Sequence, residues 1–176
     1  MSNPGNDPPE TLLRRLATGD ERAFAELYDR FGVRLYRTAL GILRSREDAE
    51  DTVQEVFTAL VRSRKALTKV NDLTAYLFSS LRRAAGQCVQ RRQRESALLH
   101  AVEDVDVPSV QKRTNHPFAD HLEQALHGLP DEQREVISLK IDGELTFAQI
   151  AQVLGISINT AASRYRYALE KLRATL

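Results

Sequence analysis

Tryptophan is absent from this 176-residue chain, and cysteine and methionine occur once each. The one cysteine, Cys88, cannot close an internal disulfide or build a cysteine-based metal cage, so neither device holds the fold together. It reads as a small apolar core residue of a protein in a reducing compartment. Glycine (8) and proline (6) are scarce, which excludes collagen-like and wholly disordered chains. The longest apolar runs, such as Ala39-Leu40-Gly41-Ile42-Leu43, fall far short of the ~20 residues a bilayer span needs. The first nine residues, Met1 to Pro9, carry neither a basic nor an apolar stretch of the kind a secretory signal requires. A cytoplasmic location without membrane insertion is therefore expected. What the chain does contain, 42% hydrophobic and 28% charged residues, suits a helix-rich globular protein with one or two small cores.

Net charge is also nearly absent, at +1, but the charges are sorted along the chain. Between Arg44 and Glu55 the acids Glu47, Asp48, Glu50, Asp51 and Glu55 outnumber Arg44 and Arg46. Between Arg82 and Glu95 the arginines Arg82, Arg83, Arg91, Arg92 and Arg94 face a single acid. The last twenty residues carry Arg164, Arg166, Lys171 and Arg173 against Glu170. Such sorting bears on recognition more than the sum does.

Apolar residues recur every three or four positions almost throughout, as in Phe24, Leu27, Tyr28, Phe31, Leu35, Ala39 and Ile42, and no strand is predicted. The expected fold is all-α. Asp20 after Gly19 is a predicted N-cap, and Ser45 with Asp48 three residues later resembles a capping box. A helix is expected from about Leu73 to Arg94. From about Gln93 to Phe118 the periodicity dissolves, which predicts a domain over residues 10–94, a linker over 95–117 and a second domain over 118–176. The linker has few apolar residues, so the two domains are expected to share no large interface, or to meet only through a repositionable one.

In the second domain Pro130 opens a helix, Asp142-Gly143-Glu144 breaks the chain, and Thr146 with Gln149 forms a capping box. Ile150-Ala151, Leu154-Gly155-Ile156 and Ala161 then have the spacing of a helix-turn-helix, with Gly155 supplying the left-handed turn residue. Helical spacing places Asn159, Ala162, Ser163 and Arg166 opposite the inward Ala161, Ala168 and Leu172. That outer face suits a major groove, with Arg164 and Tyr167 on its flanks toward phosphates.

Leu145 to Ser157, continuing through Thr160-Ala161-Ala162-Ser163-Arg164 and Leu169-Glu170-Lys171-Leu172-Arg173, resembles region 4 of the extracytoplasmic-function (ECF) sigma factors of the sigma-70 superfamily. Asp48-Ala49-Glu50-Asp51-Thr52-Val53-Gln54-Glu55-Val56-Phe57 resembles their region 2.2 helix, and Gly19 to Phe24 and Leu129 to Arg134 are similar to further landmarks. The resemblance implies a transcription initiation factor. Its partners would be core RNA polymerase, through the β′ clamp helices and the β flap, promoter DNA, and an anti-sigma factor. Asp48, Asp51, Gln54 and Glu55 would then be the polymerase-docking acceptors. Arg82, Arg83, Arg91 and Arg92 would track phosphates, and Asn71 would lie near a pocket for an unstacked base. The chain departs from the family pattern at Tyr76, Arg83, Gln87 and Ala162.

An enzyme reading has little support, because His100, His116, His121 and His127 match no ligand spacing and no nucleophile has a base beside it. No cofactor or metal is implied. The competing function is a helix-turn-helix regulator that binds duplex DNA without being a polymerase subunit. The acidic stretch at residues 48–57 argues against it.

Overall fold

The computed structural model describes residues 9–100 and 124–175. All regular elements among them are helical, as expected. The first module holds α1 (Pro9–Thr18), α2 (Glu21–Leu43), α3 (Arg46–Arg62), a 3-10 segment (Arg64–Lys69) and α4 (Leu73–His100). The second holds a helical turn at 124–127 (α5), then α6 (Asp131–Ile141), α7 (Phe147–Leu154) and α8 (Ile158–Thr175).

Local chemistry sets most boundaries. Asp20 caps α2 by accepting from the Arg22 amide at 2.9 Å, and Gly19 takes φ +85° just before it. Ser45 caps α3 through the Asp48 amide. The reciprocal half of that box is not what Asp48 does: its carboxylate turns to Arg92 on α4, 2.6 Å away. Thr146 and Gln149 form the full capping box of α7, and Gly155 ends the helix at φ +67°. Ser157 begins α8 by accepting from the Thr160 amide at 3.0 Å. Helix α4 runs on to His100, beyond the expected stop near Arg94. Its final turns lack apolar periodicity, which is why the pattern failed to show them. His116, His121 and most of the expected linker lie outside the described residues.

The apolar stripe of α2 faces inward at Leu27, Phe31, Leu35 and Ala39. Tyr28 departs from it: 58% exposed, its ring lies 5.1 Å from that of Phe57 on α3. Leu77, Phe78, Leu81 and Cys88 of α4 complete the first core. Of the two expectations for the domains, the absence of a large mutual interface is overturned. Val136, Leu139, Leu145, Ile150 and Leu154 of the second module belong to the same buried cluster as Phe31 and Phe78 of the first. Helix α6 lies on α2, and α7 lies on α4. The apolar residues that close this interface come from the helices themselves, so the polarity of the linker had no bearing on it.

Small groups permit the approach. A Cβ on Gly41 would collide with the Ser138 side chain of α6, and one on Gly143 would sit 2.9 Å from Phe78. Arg34 of α2 stacks against Phe31 and Phe78, at 5.3 and 5.7 Å from their ring centres, and donates from Nε to the Gly143 carbonyl at 3.1 Å. A smaller cluster of Ala125, Leu129, Ile137, Ala168 and Leu172 holds α8 against α5 and α6.

Candidate polymerase and promoter interface

Helix α3 is amphipathic because Ala49, Thr52, Val53, Val56 and Leu60 are buried at helical spacing. Asp51, Gln54 and Glu55 therefore fall on its outer face and are exposed. They remain available as hydrogen-bond acceptors for a partner. Asp48 is placed differently. Its side chain is only 13% exposed and its carboxylate is paired with Arg92, which ties α3 to α4. Two residues singled out for different partners thus meet each other.

Asp48 also approaches Cys88. The thiol is pushed above its ordinary range by burial first and by the Asp48 carboxylate second. Around it Glu55, Gln87, Gln90, Arg91, Arg94, Glu95 and Leu98 line a shallow groove of about 370 Å³ between α3 and α4. The acidic face and the arginine-rich half of α4 are neighbours across that groove.

Asn71 is exposed in the short connection before α4, and Asp72 beside it caps that helix by accepting from the Ala75 amide at 2.9 Å. Arg83, Arg91 and Arg92 are exposed on α4. Arg82 is held by Glu135 of α6, with Nε 2.7 Å from the carboxylate.

In the helix-turn-helix, α7 and α8 pack through Ile150, Leu154 and Ala161, and Phe147 meets Tyr165 edge to face at 5.6 Å. Asn159 and Arg166 are exposed on the outer side of α8, while Ala162 and Ser163 are half-buried. Tyr167 is exposed and carries the Arg166 guanidinium 5.3 Å above its ring. Arg164 turns inward across the module to Glu132 of α6, 2.7 Å away. It braces α8, where the sequence had placed it toward a phosphate. The sequence reading missed the residues joining the modules: Arg34, Gly41, Asp72, Glu135, Ser138 and Gln149. Only Gly143, in a chain break, and Gln149, in the capping box, carried any local signal, and neither signal pointed to the interface.

A helical module with an exposed acidic face and an arginine-lined helix, joined to a helix-turn-helix, has the layout of a transcription factor. The family comparisons specify which kind. The Sigma-70 region 2 model matches residues 27–95, and the Sigma-70, region 4 model matches residues 125–174. The ECF RNA polymerase sigma factor SigK of Mycobacterium ulcerans strain Agy99 is 33% identical over 179 residues, covering 97% of this chain and 95% of the relative. SigK of Mycobacterium tuberculosis strain H37Rv is 31% identical over 180 residues, covering 95% and 92%. The chain belongs to the ECF sigma factors of the sigma-70 family.

Among solved structures, CnrH in complex with the cytosolic domain of CnrY is similar at TM-score 0.67 and 27% identity over 96% of both chains. The sigma factor RpoE with the anti-sigma factor NepR from Bartonella quintana shares the fold at TM-score 0.66 and 23% identity, covering 85% of this chain and 96% of that one. The protein is accordingly a transcription initiation factor, with core RNA polymerase and promoter DNA as its partners. A stand-alone helix-turn-helix regulator is not favoured, since it leaves the region 2 match unexplained. No helix among the described residues is long and apolar enough to cross a membrane.

Proposed function

We propose that Asp51, Gln54 and Glu55 on α3 dock core RNA polymerase at its β′ clamp helices, and that Asp48 supports this face from behind by fixing α3 to Arg92. The observation that carries the reading is the separation of roles on α3: the apolar stripe is engaged with the core, while the three outward side chains are exposed and pair with none of the described residues. Charge-assisted contacts from partner arginines would fix the register of docking. Region 4 would meet the β flap.

On the DNA side, Asn71 and the exposed arginines Arg83, Arg91 and Arg92 face the opened minus-ten element, with Arg82 joining them. Salt-dependent phosphate contacts would dominate there. Asn159, Ser163 and Arg166 read the minus-thirty-five element from α8, with Tyr167 at a flanking phosphate. Arg164 reaches phosphate only by leaving Glu132. The first domain spans residues 10–94 and the second 118–176, joined by the linker over 95–117. The protein acts in the cytoplasm as a non-catalytic subunit, and an anti-sigma factor, such as the one bound to RpoE, restrains it.

The decisive test is a native gel of the full chain with purified core polymerase, followed by transcription from a promoter library. Assembly and promoter-selective transcription are expected. A chain that binds duplex DNA selectively but never shifts with polymerase would overturn the docking assignment.

A further inference from the structure

We infer that Tyr167 is a positioning residue for base readout: its ring holds the Arg166 guanidinium in place and leaves the N–H edge of that group free for the acceptors of a base in the major groove. The role rests on the reading of Arg166 as a base contact. It goes beyond that reading because it gives Tyr167 a part in sequence discrimination, separate from its hydroxyl at a flanking phosphate.

Little else on α8 can order Arg166. One turn before it stand Ala162 and Ser163, whose side chains are too short to brace a guanidinium. Glu170, one turn after it, is spaced to pair with it, yet no carboxylate among the described residues holds Arg166. What meets it is the adjacent ring. The guanidinium carbon lies 5.3 Å from the ring centre of Tyr167, inside the ~6 Å reach of a cation–π contact. Tyr167 is 50% exposed, so half of its surface is covered and the ring is itself restrained.

The mode of contact decides what Arg166 can still do. Arg164 spends donors on a carboxylate, Glu132 at 2.7 Å, and must break that pair before it contacts anything else. A ring instead engages the face of a guanidinium. The N–H donors of that group lie in its plane and point outward from its rim, so they stay unspent. Arg166 is therefore held in place and still able to donate, which is what a paired contact to two acceptors on a base edge requires. An arginine turning freely in solvent loses rotamer freedom when it binds; one already stacked loses less. That gain is realised only where the edge meets matching acceptors, so it adds to discrimination rather than to general affinity.

Two substitutions separate the ring from its hydroxyl. Tyr167→Phe keeps the ring, whereas Tyr167→Leu removes it and keeps a good helix former at an exposed position. Nuclear magnetic resonance of the free full chain reads the stacking directly through the ring current. The Arg166 Hδ protons are expected upfield of those of unstacked arginines in wild type and Tyr167→Phe, and at ordinary positions in Tyr167→Leu. Each chain is then assembled with core polymerase and used to transcribe a promoter library. Arg166→Ala, alone and combined with Tyr167→Leu, is transcribed alongside.

Arg166→Ala defines the base pair that Arg166 reads. At that pair Tyr167→Leu is expected to relax discrimination about two- to five-fold, the equivalent of one exposed cation–π contact. Tyr167→Phe is expected to keep it, since the ring remains. In the Arg166→Ala background Tyr167→Leu is expected to add nothing at that pair, because the group it positions is gone. Unshifted Arg166 protons in wild type would overturn the stacking. Unchanged discrimination in Tyr167→Leu, an equal loss in Tyr167→Phe, or an additive loss in the double variant would overturn the role in readout. If the upfield shift is present and Arg166→Ala leaves sequence preference intact, the failure lies in the reading of Arg166 as a base contact, and the positioning role falls with it.

Discussion

Asp142 shows how one residue can be set against its surroundings. It terminates α6 at the packed interface, near Gly41, and burial raises its carboxyl above the ordinary range while Arg37 lowers it by less. A carboxyl raised in the folded state contributes its stability below its unfolded value, near ~4, and loses it as pH rises through the folded value. At neutral pH the ionised form therefore costs stability. Asp142→Asn is expected to raise the melting temperature at neutral pH, and the gain should vanish as pH falls toward ~4. Melting curves across that range measure it; a gain independent of pH would mean that burial of the charge is not the cause. Asp51 and Glu55 are the opposite case, exposed and outside the core. Reversing both to Arg is expected to leave the melting curve in place and to abolish retention of core polymerase in a pull-down. Full retention would exclude α3 as the docking face.

Among the elements, α7 depends most visibly on its cap. It has eight residues, too few to be stable in isolation, and Thr146 meets the Gln149 amide at 3.2 Å in return for the Gln149 side chain on its own amide. Thr146→Ala is expected to cost about 1 kcal/mol by denaturant titration. Since α7 supports α8, that loss should appear as weaker promoter binding without altered sequence preference. Helix α8 should behave differently at its outer face. Replacing Arg166 by Ala is expected to relax discrimination at a particular base pair by ~1–3 kcal/mol in a promoter library. Replacing Arg164, held by Glu132, should instead lower region 4 stability, because it removes a brace from α8 to α6. If Arg164→Ala left stability unchanged and only flattened the salt dependence of binding, Arg164 would be a phosphate contact after all.

For the molecule as a whole, the shared buried cluster makes region 4 depend on region 2. Calorimetry of the wild-type chain is expected to show one cooperative transition, and Gly41→Leu is expected to split it into two. Two separated transitions already in wild type would mean that the interface contributes little. The helices, their caps, the helix-turn-helix and the outward acids of α3 were legible in the sequence, because periodicity and capping are encoded within a few neighbouring residues. The end of α4 was not, since its last turns rest on no apolar repeat. Nor could a local pattern show that Asp48 pairs with Arg92, Arg164 with Glu132 or Arg82 with Glu135. Those pairs join residues remote in sequence or on different helices, and only packing settles which charges face each other. Membership of the family and the identity of both partners followed from ordered local motifs. The close fit of Gly41 on Ser138, and the apolar contact that sets region 4 on region 2, were decided by tertiary structure, because shape complementarity between two surfaces has no periodicity to betray it.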